Sequence, residues 1–170
     1  DAIDGRRMSD SDLECCYDRV RNAQNFKRPL SQGEIACVLG HRAIWRKVSE
    51  GPAPVALVCE DDLRLLPACG DFLRSVAGHE AAFAHALIKL DSPARAGKVV
   101  GRLAGVDLVL TSRLPGCTTG YLLGRDAATT LLAQTRKVSR PIDMDLKHYW
   151  EHHVPILLVR PQLVSVRPDG

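Results

Sequence analysis

The chain has 170 residues, 45% hydrophobic and 25% charged. That is the make-up of one globular domain with a real core, and it excludes a disordered, collagenous or membrane-embedded chain. The formal charge is only +3, with basic residues scattered as in Arg6-Arg7, Lys27-Arg28 and Arg136-Lys137, which excludes a nucleic-acid footprint and leaves at most a peripheral association with an anionic membrane face.

Residues 1–28 are polar and lack a clear period, apart from a short helix expected over 9–20 and opened by Ser9 or Ser11. Leu30-Ser31-Gln32-Gly33-Glu34 supplies a capping box, Ser31 as N-cap with Glu34 three residues on. The helix it opens carries an apolar stripe at Ile35, Val38, Leu39, Trp45 and Val48 and stops at Gly51, Pro52 and Pro54. Val55-Ala56-Leu57-Val58-Cys59 is a continuous apolar run, expected as a central strand buried on both faces, with Glu60-Asp61-Asp62 at its carboxyl end.

Asp71 is expected to cap a helix through Phe72, Leu73 and Val76 towards Phe83, and Ala86-Leu87-Ile88-Lys89-Leu90 reads as a strand ending at Asp91. Further strands are expected over 106–110 and 120–124. A helix over 125–137 follows, with Ala127, Leu131 and Leu132 on one side. Pro141-Ile142-Asp143 opens a short helix through Trp150, and 155–159 and 163–166 close the chain as strands or an extended tail. The alternation predicts a single α/β layered domain over 1–170, a mostly parallel central sheet flanked by helices, with ligands beyond the carboxyl ends of its strands. The six cysteines, at 15, 16, 37, 59, 69 and 117, have no C-x-x-C and no paired spacing; they read as buried thiols of a reducing cytoplasm. No apolar run approaches the roughly 20 residues that span a bilayer.

Three successive carboxylates after a buried strand repel one another unless a cation compensates. Mg²⁺ or Mn²⁺ takes oxygen ligands, one or two carboxylates together with substrate phosphates, and stabilises a diphosphate leaving group. The plainer alternative is an acidic turn that caps the next element or faces solvent.

The blocks Leu30-Ser-Gln-Gly-Glu-Ile-Ala-Cys-Val-Leu-Gly-His41, Trp45 and Ala56-Leu-Val-Cys-Glu-Asp-Asp62 resemble the signature of glycosyltransferase family 25, L-x-x-G-E-x-G-C-x-L-S-H, then a strand and E-D-D. Ala2-Ile3-Asp4-Gly5, Ile88-Lys89-Leu90, Thr119-Gly-Tyr-Leu-Leu123 and Pro141-Ile142-Asp143 resemble its other blocks. The resemblance implies a GT-A-like α/β fold, a UDP-sugar donor carrying galactose or glucose, and inverting transfer to a lipooligosaccharide acceptor at the cytoplasmic face of a bacterial inner membrane. It assigns the metal to Asp61 and Asp62 and the donor to Glu60, Asp61 and Asp62.

Lys89 is read as meeting a phosphate or acceptor, or else solvent; Thr118, Thr119 and Tyr121 as packing or lining the pocket. An inverting displacement needs a general base on the acceptor hydroxyl, and Asp143 is the first candidate, ahead of Asp91 and Asp145. His41 is expected to be structural, and His148, His152 and His153 to lie at the surface unless one completes the metal shell. Gly40 and Ala36 depart from the family's Ser and Gly. The family's opening strand and helix, with an R-R pair near the donor, precede the point where this sequence starts. Two other readings stay open: an inactive family member that binds or scaffolds, and a phosphatase or nucleotidyltransferase working on phosphates through the same acidic cluster.

Overall fold

Ser9 and Asp12 cap each other reciprocally and start helix α1 (Asp10–Cys16). It stops short of the expected end because Tyr17 is drawn into an extended bridge with Val138, where Asp18 N donates to Val138 O and Val138 N to Cys16 O. Asp18 then caps a separate helix, α2 (Arg19–Asn25), which the sequence reading missed. The computed structural model describes residues 3–94 and 96–167; Ala2 of the resembling Ala2–Gly5 block lies outside them.

Helix α3 (Gln32–Glu50) begins at the expected capping box. Ile35, Ala36, Val38, His41, Trp45 and Val48 form its buried face. Glu34 closes the box on Ser31 and also pairs with Arg28 at 2.7 Å. The Arg28 guanidinium, aided by the Ser31 hydrogen bonds, holds the Glu34 carboxyl down to about 2 from 4.5. A carboxyl whose folded value is depressed contributes stability that is complete above its unfolded value and is lost as pH falls through the folded one. Unfolding free energy is therefore expected to fall between pH 4.5 and about 2 more steeply in the parent chain than in Glu34→Gln, as read by urea denaturation across that range; parallel curves would contradict the assignment.

The chain continues through β1 (Val55–Cys59), β2 (Leu63–Leu65), α4 (Cys69–Val76), β3 (Leu87–Pro93), β4 (Lys98–Leu103), β5 (Val106–Leu110), β6 (Gly120–Gly124), α5 (Arg125–Gln134), α6 (Ile142–Lys147), α7 (Tyr149–His152), β7 (Ile156–Arg160) and β8 (Val164–Val166). Asp71 lies inside α4 rather than at its cap, and the expected helix through Trp150 is split at His148. Six strands form one sheet in the order β1-β6-β3-β7-β5-β4, and β2 pairs with β8 in a small ribbon.

The α/β class stands, but the expectation of a mostly parallel GT-A-like sheet is overturned. Only β3 and β7 pair in parallel; β1–β6, β6–β3, β7–β5 and β5–β4 are antiparallel. Two features cause it. β4 and β5 form a hairpin through Ala104 and Gly105, both at positive φ. The late strand β6 inserts between β1 and β3 and runs against both. β1 is consequently an edge strand, not the central one expected: Leu57 and Cys59 are exposed and Val58 is the buried member of the run.

Helices α3 and α5 cover one face of the sheet with Trp45, Val58, Leu87, Tyr121, Leu123 and Leu131, while α4 covers the other against Ile88, Leu90, Leu122 and Val159. Gly124 sits where the chain turns from β6 into α5. A Cβ there would lie 2.2 Å from the carbonyl oxygens of both Phe83 and Ala84. These are backbone atoms that cannot swing away, so Gly124→Ala is expected to lower unfolding free energy by about 3 kcal/mol. Gly40→Ala, with nothing within 4 Å of the new methyl, should leave it unchanged or slightly raised in the same denaturation experiment. Among the described residues no helix is long and apolar enough to cross a membrane.

Candidate active site

The acidic turn is clamped from two sides. Glu60 N donates to Thr119 O at 2.9 Å, extending the β1–β6 ladder, and Arg167 N donates to Asp62 O at 2.8 Å just beyond the β2–β8 ribbon. Because β6 runs against both neighbours, its amino end lies between the carboxyl ends of β1 and β3. Glu60, the Thr118–Tyr121 segment, Lys89 and Asp91 therefore gather at one edge of the sheet, and α3 lies over that edge with Cys37, His41 and Trp45.

A buried hydrogen-bond chain links these elements. Trp45 Nε1–H donates to the Tyr121 hydroxyl at 2.8 Å, and the same oxygen lies 2.8 Å from His41 Nδ1. The Glu60 Oε1 carboxylate oxygen, 3.5 Å from Nε2, places the ring hydrogen on that nitrogen, so Nδ1 accepts from the Tyr121 hydroxyl while the Tyr121 oxygen accepts from Trp45. Thr118 Oγ1 donates to that oxygen as well, at 2.9 Å. The His41 contact, and after it the Thr118 hydrogen bond, keep the Glu60 carboxyl below its ordinary range against the opposing effect of burial. Burial pushes the Tyr121 phenol upwards.

Lys89 and Asp91 sit on the same face beneath this chain, their side chains only 3% and 2% exposed and 3.6 Å apart. Lys89 donates to the Cys117 carbonyl, whereas neither Asp91 oxygen has a hydrogen-bond partner. Thr119 and Tyr121 are equally enclosed, at 2% and 1% exposure. All three of these donor-binding candidates, Lys89, Thr119 and Tyr121, thus lie behind the cleft wall.

The cleft itself runs between α3 and the acidic turn, lined by Cys37, Gly40, His41 and Lys47 on one side and Cys59, Glu60, Asp61 and Asp62 on the other. Asp61 is exposed and Asp62 half-buried, with Asp62 Oδ1 enclosed and without a hydrogen-bond partner. An orphaned carboxylate oxygen beside a solvent-facing carboxylate suits a hard divalent ion that keeps part of its water shell.

A model of glycosyltransferase family 25 (LPS biosynthesis protein) matches residues 1–95, more than half the chain. The chain belongs to glycosyltransferase family 25. Similar proteins include a glycosyltransferase 25 family member of Aedes aegypti, 38% identical over 71 residues, which is 39% of this chain and 11% of that protein. Human procollagen galactosyltransferase 2 is 32% identical over 69 residues, 38% of this chain and 11% of the relative. Procollagen galactosyltransferase 1-B of Xenopus laevis is 51% identical over 37 residues, 22% of this chain and 6% of the relative. The match thus spans about a tenth of the length of the first two relatives and less of the third.

In this family 25 chain the matched segment holds the α3 cap, His41, the acidic turn, Lys89 and Asp91, while Thr118–Tyr121 and Asp143 lie beyond it. Asp143 stands in the first turn of α6 against Gly116, where a side-chain methyl would come within 2.8 Å of Asp143 Oδ2. Burial, then the nearby carboxylates of Glu60 and Asp143, push the Cys37 thiol up. Asp145 is committed to Arg140 at 2.8 Å.

Two expectations need correction. Only Cys69 is fully buried; Cys15, Cys37, Cys59 and Cys117 are exposed, because Cys37 faces the cleft and Cys59 lies on the edge strand. His152 is not at the surface but 3% exposed, accepting from Val154 N at Nδ1 and donating to Leu146 O. The sequence reading also overlooked Cys37 as a site residue, although its position one helical turn before His41 was a usable signal.

Proposed function

We propose that this chain transfers a hexose, galactose or glucose, from a UDP-sugar to a hydroxyl of a lipooligosaccharide acceptor, inverting the anomeric carbon and using Mn²⁺ or Mg²⁺. The observation that carries the reading is the clamped Asp61-Asp62 turn in the wall of a cleft, where Asp61 is exposed and an enclosed Asp62 oxygen has no hydrogen-bond partner. Membership of family 25, whose model is described as an LPS biosynthesis protein, supports the acceptor class. The names of the procollagen galactosyltransferases favour galactose.

Asp61 and Asp62 hold the ion, which when bound neutralises the donor diphosphate as it leaves. Glu60, anchored by Thr118 and His41, sets the turn's orientation and faces the donor, while Lys89, Thr119 and Tyr121 act through that anchorage rather than by touching the sugar. Asp143 takes the proton from the acceptor hydroxyl. Its partial exposure favours it over Asp91, whose carboxylate is enclosed beside Lys89.

Calorimetric titration of UDP-galactose and then UDP-glucose into the purified chain, with and without Mn²⁺, tests the reading. Saturable binding only with Mn²⁺ is expected, tighter for UDP-galactose. No binding by a folded sample would favour an inactive, scaffolding family member instead.

A further inference from the structure

Cys37 and His41 are four residues apart on α3 and project from the same face, towards Glu60 at the end of β1. One ligand atom from each, a thiol sulfur, an imidazole nitrogen and a carboxylate oxygen, lies within 4.8 Å of the other two. We propose that Cys37, His41 and Glu60 form a binding site for a thiophilic divalent cation of the Zn²⁺ class in the wall of the cleft, separate from the hard-ion site at Asp61 and Asp62.

The donor set selects the ion. Sulfur and imidazole ligands favour Zn²⁺ or Co²⁺ over Mg²⁺ and Mn²⁺, and three protein ligands leave a fourth position open to the cleft. Ligand atoms around tetrahedral zinc stand about 3.5 Å apart. Rotation of two side chains with room to move, exposed Cys37 and one-third exposed Glu60, closes the remaining distance. Glu60 Oε1 is engaged by Thr118, so Oε2 is the oxygen free for an ion.

His41 is the rigid member, and its second nitrogen already has an orienting partner in Tyr121. In the metal-free chain the Tyr121 hydroxyl donates to Nδ1. Coordination through Nε2 moves the ring proton to Nδ1, which then donates to the Tyr121 oxygen, and the hydroxyl rotates to suit. The Cys37 proton leaves to solvent as the metal–thiolate bond forms. Burial first, and then the surrounding carboxylates, hinder thiolate formation in the absence of an ion; the same carboxylates favour the cation once it is present.

The site does not depend on sugar transfer, and its test needs no turnover. Co²⁺ titrated into the purified chain is expected to produce a near-ultraviolet thiolate-to-cobalt charge-transfer band that saturates at one equivalent and is displaced by Zn²⁺. Cys37→Ser should abolish the band, whereas Cys59→Ser, a second thiol in the same cleft, should retain it. Asp62→Asn should also retain it, separating this site from the hard-ion site. Tyr121→Phe should weaken Co²⁺ binding about tenfold. A folded parent chain without the band, or a band that survives in Cys37→Ser, overturns the proposal.

Discussion

Asp62→Asn is expected to abolish Mn²⁺-dependent binding of UDP-galactose while the chain unfolds at the same urea concentration as the parent. The carboxylate oxygen at issue is buried and makes no hydrogen bond, so replacing the charge with an amide breaks no internal contact. What disappears is the negative charge and one hard oxygen ligand. The clamp survives too, because Arg167 and Leu63 grip the backbone of the turn rather than the Asp62 side chain. Calorimetry and denaturation on the same preparation separate the two effects. An unaltered donor affinity in Mn²⁺ would sink the metal assignment, and a large stability loss would mean that the side chain is structural.

Asp143→Asn is expected to lower the transfer rate by about 10²- to 10⁴-fold, the usual contribution of a positioned base, with donor affinity unchanged. The carboxylate stands in the first turn of α6, against Gly116, and asparagine occupies the same volume without accepting a proton. Asp91→Asn supplies the contrast. Asp91 is enclosed next to Lys89, so that substitution strips a buried cation of its counter-charge and should appear first as lost stability. Transfer assays and denaturation of both variants decide between them: full turnover in Asp143→Asn would put the base elsewhere.

Much of the local structure was legible because it depends on neighbours in the chain. The Ser31–Glu34 capping box, the strand over 120–124 and the turn into α5 at Arg125 stand where the residue pattern puts them. The E-D-D turn also stands at the end of a strand. The expected α1 ran too long because its end is imposed by Val138, far along the chain. Within the site, Glu60, Lys89, Asp91, Thr118 and Tyr121 were all singled out from the sequence. Their linkage through His41 and Trp45 was not, since it needs α3 laid across β6.

The sequence by itself determined the family, the α/β class, the starts of α1, α3 and α5 and the acidic turn that concentrates charge at a strand end. All of these follow from capping, periodicity and motif order within short segments. Tertiary structure decided which strands meet. A five-residue apolar run has the same pattern at the edge of a sheet as at its centre, so nothing local in Val55–Cys59 marks it as an edge strand. Insertion of β6 between β1 and β3 is a long-range pairing, and it is this antiparallel placement that sets Thr118 against Glu60 and Tyr121 beneath His41.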